Sequence, residues 1–364
     1  AEAFKSGNND IDIDSLKSES SNLKLKSKGL AEELDTVKNK ISDLITTVPN
    51  IPDSKVPDGL SEENNIEIFR SSNFKESGYN LKNHWDLSKE YDIIDFELGS
   101  KITGSGFPVY KDKGAKLQRA LINFFLDRNS SAGYNEFQVP HLVNSDSAYA
   151  TGQLPDKDGQ MYHVTNDDLY LIPTAEVPLT NIYRDKILAV DQVPIMMTGY
   201  TPCFRREAGS YGSDVRGLNR LHQFDKVEIV RIEHPDKSDD ALIEMKEHIK
   251  GILIDLKLDF RILNICAGDL GFTSSITYDF EVFSKGQEKW LEISSVSNFK
   301  TYQSNRLNLK FKDKDGKNYT LHTLNGSSLA LPRVMAGLIE NNQTENGIII
   351  PDVLLPYTGF DKIN

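Results

Sequence analysis

With 364 residues, 38% of them apolar and 26% charged, the chain is long enough to bury a large core and to form two domains. A formal net charge of -12 argues against a generic nucleic-acid binder, so any RNA contact has to come from local basic patches. Two cysteines, Cys203 and Cys266, exclude a disulfide framework and a zinc cluster. With no long apolar run and no secretory signal, a cytoplasmic protein without a membrane span is expected.

The residues up to about Asn9 are small and polar and are expected to fray. Ile13, Leu16, Ser20 and Leu23 then recur at helical spacings, and Lys24, Lys26 and Lys28 lead to Gly29, where a turn is expected. Beyond it Leu30, Leu34, Val37, Ile41, Leu44 and Val48 alternate spacings of four and three, an apolar heptad seam. Two helices about a glycine predict an antiparallel helical hairpin; two amphipathic helices packed on a globular body would share the periodicity. The prolines from Pro49 to Pro57, with Gly59, end the helix and mark a linker. The expected organisation is a helical arm over 1–48, a Pro-rich linker over 49–62 and a main domain over 63–364.

In the main domain, His84-Trp85-Asp86-Leu87 and Ile93-Ile94-Asp95-Phe96 are short ordered candidates, and Gly104-Ser105-Gly106 reads as a turn. Gly114 to Asn129 predicts an amphipathic helix, and Gly133 to Pro140 a strand stopped by proline. Thr174 and Glu176, alternating around Ala175 on an extended segment, bring together a hydroxyl and a carboxylate able to hold an ammonium group. A threonine capping a helix would read the same way. Phe204 to Glu207 and Arg220 to Glu228 flank a Gly-rich polar loop and predict a hairpin with a long tip. In its second run Arg220, His222, Phe224, Lys226 and Glu228 share parity, hence one strand face. Such a face makes a poor core and a good ligand floor: Arg205 and Arg220 offer forks for phosphate, Phe224 a stacking surface for a purine, and Glu207 an acceptor for an exocyclic amine. A surface hairpin laced with ion pairs is the plainer alternative.

Further on, Asp239 to Lys257 predicts a helix, and Phe260 to Leu263 and Thr277 to Phe283 predict strands, with Cys266 between them as a buried small apolar residue. Glu292 and Ser294 are expected on one face of a strand that ends in a Ser-rich turn. From Leu324 to Arg333 a strand is expected to enter a Gly-Ser turn and leave as a helix, aiming backbone amides at an anion, with Arg333 adding a guanidinium.

Arg205-x-Glu207 and Arg220-x-x-x-Phe224-x-x-x-Glu228 together resemble motif 2 of the class II aminoacyl-tRNA synthetases. Their surroundings, Phe-Arg-x-Glu-Ala-Gly and His-Gln-Phe-Asp-Lys-Val-Glu, are similar to the seryl-tRNA synthetase version. Thr174-Ala175-Glu176 resembles the loop this family uses on serine, and Cys266 to Gly271 its Gly-Asp-x-Gly turn. Leu324 to Arg333 resembles motif 3, with Ser328 and Pro332 where glycines are common. The helix, strand and proline of 114–140 resemble motif 1, which builds that family's dimer interface. The N-terminal segment departs from the family's long arms, holding only about two heptads before Gly29.

The resemblance covers essentially the whole chain. It implies an α+β fold, an antiparallel β-sheet flanked by helices and preceded by a coiled-coil arm. The implied activity is that of a ligase that activates L-serine with ATP and transfers it to the 3' end of tRNA(Ser), with selenocysteine tRNA as a further substrate candidate, in a homodimer. It implies Arg205 and Arg333 as catalytic; Arg205, Arg206, Glu207, Arg220, Phe224, Glu292, Ile293, Ser294, Ser295 and Arg333 around ATP; Thr174, Ala175, Glu176, Arg205, Glu228, Asn325 and Ser327 around serine; and Glu292 with Ser295 on Mg2+. Two other readings share these residues: a paralogue that adenylates an amino acid and loads a carrier protein, and an inactive binding or regulatory homologue.

Overall fold

The computed structural model describes residues 13–71, 81–207 and 216–364; the N-terminal segment read as frayed and the Gly-rich loop tip over 208–215 lie outside the described residues. The chain forms two compact units, Ala1–Pro49 and Asn50–Asn364. In the first, helix α1 runs unbroken over Ile13–Ile45. The expected turn at Gly29 is therefore absent, and the hairpin is a single helix. One glycine weakens a helix by only about 1 kcal/mol, and with no proline nearby nothing removes an intrahelical hydrogen bond. Leu16, Leu23, Leu30, Leu34, Val37, Ile41 and Leu44 are all exposed along it.

The second unit is built on eight strands: β1 (Ile66–Arg70), β2 (Asn135–Glu136), β3 (Ile195–Phe204), β4 (Gln223–Glu233), β5 (Phe260–Asn264), β6 (Ile276–Ser284), β7 (Lys289–Lys300) and β8 (His322–Ala330). They lie in the order β1-β5-β6-β7-β8-β4-β3-β2. Neighbours are antiparallel except β2 and β3, which run parallel. Apolar residues at alternate positions, such as Val227 and Ile229 on β4 and Phe280 and Val282 on β6, turn one face toward a continuous core. That core is shared with helices α2 (Asp112–Ser131), α4 (Ser238–Asp255) and α5 (Leu331–Asn341), through Leu121, Phe125, Met245, Ile249, Val334 and Leu338. The opposite face carries a smaller cluster with Ala175, Leu179, Met197, Val230 and Ile232, some of it from the short helix α3 (Glu176–Asn181). This α+β architecture is the one the sequence led us to expect. Among the described residues, no helix is long and apolar enough to cross a membrane.

Three local expectations fail. Of Gly133 to Pro140 only Asn135 and Glu136 pair as strand. The Gly-Ser turn expected after Leu324 is strand: β8 continues to Ala330, and α5 begins at Leu331 with Pro332 in its first turn. Gly326 serves close packing there, since a Cβ would stand 3.1 Å from the Val296 side chain across the sheet. The Ser-rich stretch after Glu292 likewise stays in β7 up to Lys300. The Pro-rich segment is strapped to the sheet unit: Asn50 donates through its backbone N–H to the Phe272 carbonyl at 2.9 Å and through its side chain to those of Thr273 and Phe299. Cys203 and Cys266 are both buried and free.

Replacing Gly29 with Ala tests the continuous helix. No atom lies within 4 Å of the added Cβ, so the helix is expected to gain about 1 kcal/mol and melt later by far-UV circular dichroism. Lower helicity in Gly29→Ala would place a turn at that position.

Candidate active site

Strand β4 positions the polar half of the site. Glu228 stands opposite Gly199 of β3 and Ser327 of β8, at the centre of the sheet and without exposed surface. Burial of a lone carboxylate would cost several kcal/mol, and it is offset here by three groups. Lys226, two residues along the same face, places its Nζ 2.6 Å from Glu228 Oε2. The Thr174 hydroxyl donates to Oε2 at 3.2 Å, and Asn325 Nδ2 to Oε1 at 3.0 Å. The Asn325 amide also donates to Glu176 Oε2 at 2.8 Å, so one amide joins two buried carboxylates. Gln303 Nε2 completes the set, donating to Glu176 Oε1 at 2.6 Å.

The charges in this cluster are strained by burial. Desolvation, then the nearby Glu228, pushes the Glu176 carboxyl up to about 7. Glu228 is also raised by burial, an effect that Lys226 opposes. The cluster therefore has a deficit of positive charge, which a small cation entering it would relieve.

Next to it lies a pocket lined by Arg205, Glu207, Arg220, Phe224, Glu292 and Arg333, with Ile293, Ser294 and Ser327 at its back. The Arg205 guanidinium sits 5.3 Å over the Phe224 ring and donates to the Pro173 carbonyl at 3.3 Å. Arg220 Nη1 meets Glu207 Oε2 at 3.2 Å. From the first turn of α5, Arg333 reaches across to donate to the Asn219 carbonyl at 2.9 Å and to the Glu292 carbonyl at 2.8 Å. Three guanidinium groups thus converge on one pocket beside the carboxylate pair. Arg206 departs from this set: its guanidinium lies 5.6 Å over the Tyr162 ring.

Several predicted residues arrive by routes other than those expected. Thr174 and Glu176 are not on an extended segment, because Glu176 opens α3. Pro178, in the first turn of that helix, has a fixed φ suited to it and no N–H to satisfy. Thr174, the residue before the Ala175 N-cap, accepts from the Glu176 N–H at 3.2 Å while donating to Glu228. Arg220 and His222 precede β4 and so do not extend the face of Phe224, Lys226 and Glu228; the His222 N–H is turned away to the Gly106 carbonyl at 3.0 Å.

Glu292 and Ser294 do not share a face either. A bulge at Ile293 sets Glu292 opposite Glu281 but Ser294 opposite Phe280, so the parity flips between them. Ser295 takes the place beside Glu292 and donates to its Oε1 at 3.3 Å, while Ser294 turns to the Ser327 carbonyl at 2.6 Å. Lys226, Gln303 and Asn219 are the contributors that sequence reasoning left unassigned. For Lys226 the parity with Glu228 was the available signal; Gln303, brought in by a separate short helix, carried none. A second cleft, lined by Trp85, Asp95, Phe96 and Phe107, holds Arg216 over Trp85 and gathers none of the predicted site residues.

An antiparallel sheet with helices on one face and converging arginines on the other places the chain among class II aminoacyl-tRNA synthetases. Residues 162–342 match the family described as the tRNA synthetase class II core domain (G, H, P, S and T). The chain is 51% identical to the serine–tRNA ligase of Salinibacter ruber over 323 residues, 88% of this chain and 76% of that protein. To the serine–tRNA ligase of Prosthecochloris aestuarii it is 49% identical over 340 residues, 92% and 79% of the two chains. The crystal structure of seryl-tRNA synthetase from Pyrococcus horikoshii complexed with ATP superposes with a TM-score of 0.94 at 32% identity, covering 97% of this chain and 84% of that one. The chain belongs to the seryl-tRNA synthetase family.

The raised pKa of Glu176 fixes a pH dependence of stability. A carboxyl raised in the folded state contributes stability that is full below its unfolded pKa and lost as pH rises through the folded one. Between pH 4.5 and about 7 the Glu176 contribution therefore declines. In Glu176→Gln the slope of melting temperature against pH over this window is expected to be shallower than in the wild type; an identical slope would mean that Glu176 titrates normally.

Proposed function

We propose that the chain is a serine–tRNA ligase, joining L-serine and ATP to seryl-adenylate and pyrophosphate and then passing serine to the 3' end of tRNA(Ser). The observation that carries this reading is the buried Glu176–Asn325–Glu228 cluster beside three converging arginines. Two carboxylates raised by burial are matched to an ammonium group, which would restore their charge. The same cluster offers a small hydroxyl partners in Glu228, Asn325 and Ser327. A site built to pair a hydroxyl rejects alanine, which would leave Glu228 and its partners unsatisfied.

In the first step the serine carboxylate attacks the α-phosphate of ATP, and pyrophosphate leaves. No side chain has to act as nucleophile or general base, so the contribution of the protein is positioning and electrostatic stabilisation. Arg205, between the carboxylate cluster and Phe224, is placed to neutralise charge on both the serine carboxylate and the α-phosphate. Arg220 and Arg333 flank the pocket and take the β- and γ-phosphates. In this reading Phe224 stacks on the adenine, Glu207 accepts from its amine, and Arg206 is an outer contact of the nucleotide.

Mg2+ fits the donors at one wall. Glu292 and Ser295 would hold it, and Asp279, raised well above the usual carboxylate range by burial and by Glu292, has one buried oxygen without a partner among the described residues. Among those residues no group of three His, Cys, Asp or Glu is arranged to hold a metal, which suits an ion completed by phosphate oxygens and water. When bound, it would neutralise phosphate charge.

The arm over 1–48 serves the tRNA in this reading, the segment 49–62 joins it to the catalytic domain, and selenocysteine tRNA is a second substrate. The protein works in the cytoplasm as a homodimer. Identity near one half to serine–tRNA ligases favours this over a carrier-loading paralogue, and a complete arginine set favours it over an inactive homologue.

Two assays test the proposal: serine-dependent ATP–pyrophosphate exchange and charging of total tRNA with labelled serine. Exchange without charging would favour the carrier-loading reading. In Glu228→Ala, kcat/KM for serine is expected to fall by about 100-fold or more, with ATP affinity within about two-fold. Arg205→Ala is expected to lower kcat by roughly 100- to 1000-fold. Unchanged serine dependence in Glu228→Ala would refute the assignment of that residue.

A further inference from the structure

His84 does not itself line the pocket, yet it is wholly buried and both ring nitrogens are engaged. Its Nε2 accepts from the Leu218 backbone N–H at 2.8 Å, so the proton must sit on Nδ1, which donates to Glu340 Oε1 at 2.7 Å. Burial alone would raise the Glu340 carboxyl, but hydrogen bonds from His84 and Ser284 leave it below the usual range, and thus charged. Glu340 also accepts from the His84 and Gly286 N–H groups, and from Gln287 Nε2 at 3.1 Å. Gln287 in turn accepts from the Asn219 side chain at 2.8 Å through its Oε1.

Leu218 and Asn219 are the return limb of the motif 2 loop and immediately precede Arg220; both line the nucleotide pocket. The Asn219 carbonyl accepts from Arg333, which belongs to the same helix, α5, as Glu340. One helix therefore grips this limb twice, directly through Arg333 and indirectly through Glu340, His84 and Gln287. Gly217 makes the grip possible. It has φ +66, and a Cβ there would collide with the His84 ring and stand 3.0 Å from Trp85.

We propose that His84 is a positioning residue for nucleotide binding: by accepting from the Leu218 N–H it fixes the segment that presents Arg220 and anchors Arg333. The inference rests on the ATP-dependent reaction proposed above. Neither limb residue touches the serine cluster, so the effect of losing this bond should fall on ATP and spare serine.

Two amide substitutions separate the functions of the ring. Asn can supply a donor near the Nδ1 position but no acceptor for Leu218, whereas Gln can supply an acceptor near the Nε2 position. In pyrophosphate exchange, His84→Asn is expected to raise KM for ATP about ten-fold, with KM for serine within about two-fold, because the buried Leu218 N–H is left unpaired. His84→Gln should recover KM for ATP to within about three-fold of wild type. Should His84→Asn fail to fold, as judged by its thermal melt, Gly217→Ala displaces the same contact from the loop side and should show the same ATP-selective rise. An unchanged KM for ATP in the folded variant, or equal losses for ATP and serine in both His84 variants, would overturn the inference while leaving the proposed reaction intact. Absence of exchange in the wild type would instead strike at the reaction itself.

Discussion

Glu228 carries a carboxylate to the middle of an eight-stranded sheet with no exposed surface, and much of the surrounding structure follows from keeping it there. Lys226 has to lie on the same face of β4, the Thr174 hydroxyl has to be brought by the start of α3, and Asn325 has to come from the neighbouring strand. Removing any one partner would leave a buried charge or donor unpaired, which is more costly than the bond itself is favourable. On the opposite face of the same strand Val227 and Ile229 pack into the main core. β4 is thus held in register from both sides, by packing below and by charge pairing above.

The same constraint explains how binding and reaction can be separate tasks on one surface. The carboxylate cluster is enclosed and short of positive charge, whereas the arginine pocket beside it is open and rich in it. Arg205 stands at the boundary, lowering the pKa values of Glu176 and Glu228 through its field while its guanidinium covers Phe224. A zwitterion that places its ammonium in the first region must present its carboxylate to the second.

How much of this was legible in the sequence depended on whether strand parity held. Phe224 and Glu228 could be assigned because charged and aromatic residues at alternate positions make no sense as a core, and β4 kept its alternation against β3. Glu292 and Ser294 could not be placed correctly because the bulge at Ile293 adds one residue to one strand, and no feature of the local sequence marks it. Gly326 read as a turn because glycine favours turns, although it sits within the sheet where Val296 packs closely against it. At Gly29 a signal did exist: Leu16, Leu23 and Leu30 keep one seven-residue phase straight through the glycine, as a single helix requires. Gln303 and the His84–Glu340 pair join residues far apart in the chain, and tertiary contacts of this kind leave no periodic trace.

The central claim is that the Glu176–Glu228 pair is a receptor for the substrate ammonium. It is tested most directly by calorimetric titration of L-serine near pH 7 in buffers of different ionisation enthalpy. With burial pushing the Glu176 carboxyl up to about 7, serine should release protons as it binds, and the same compound without its amino group should neither bind comparably nor release protons. Serine binding without proton release, or equal binding of the deaminated compound, would contradict the account.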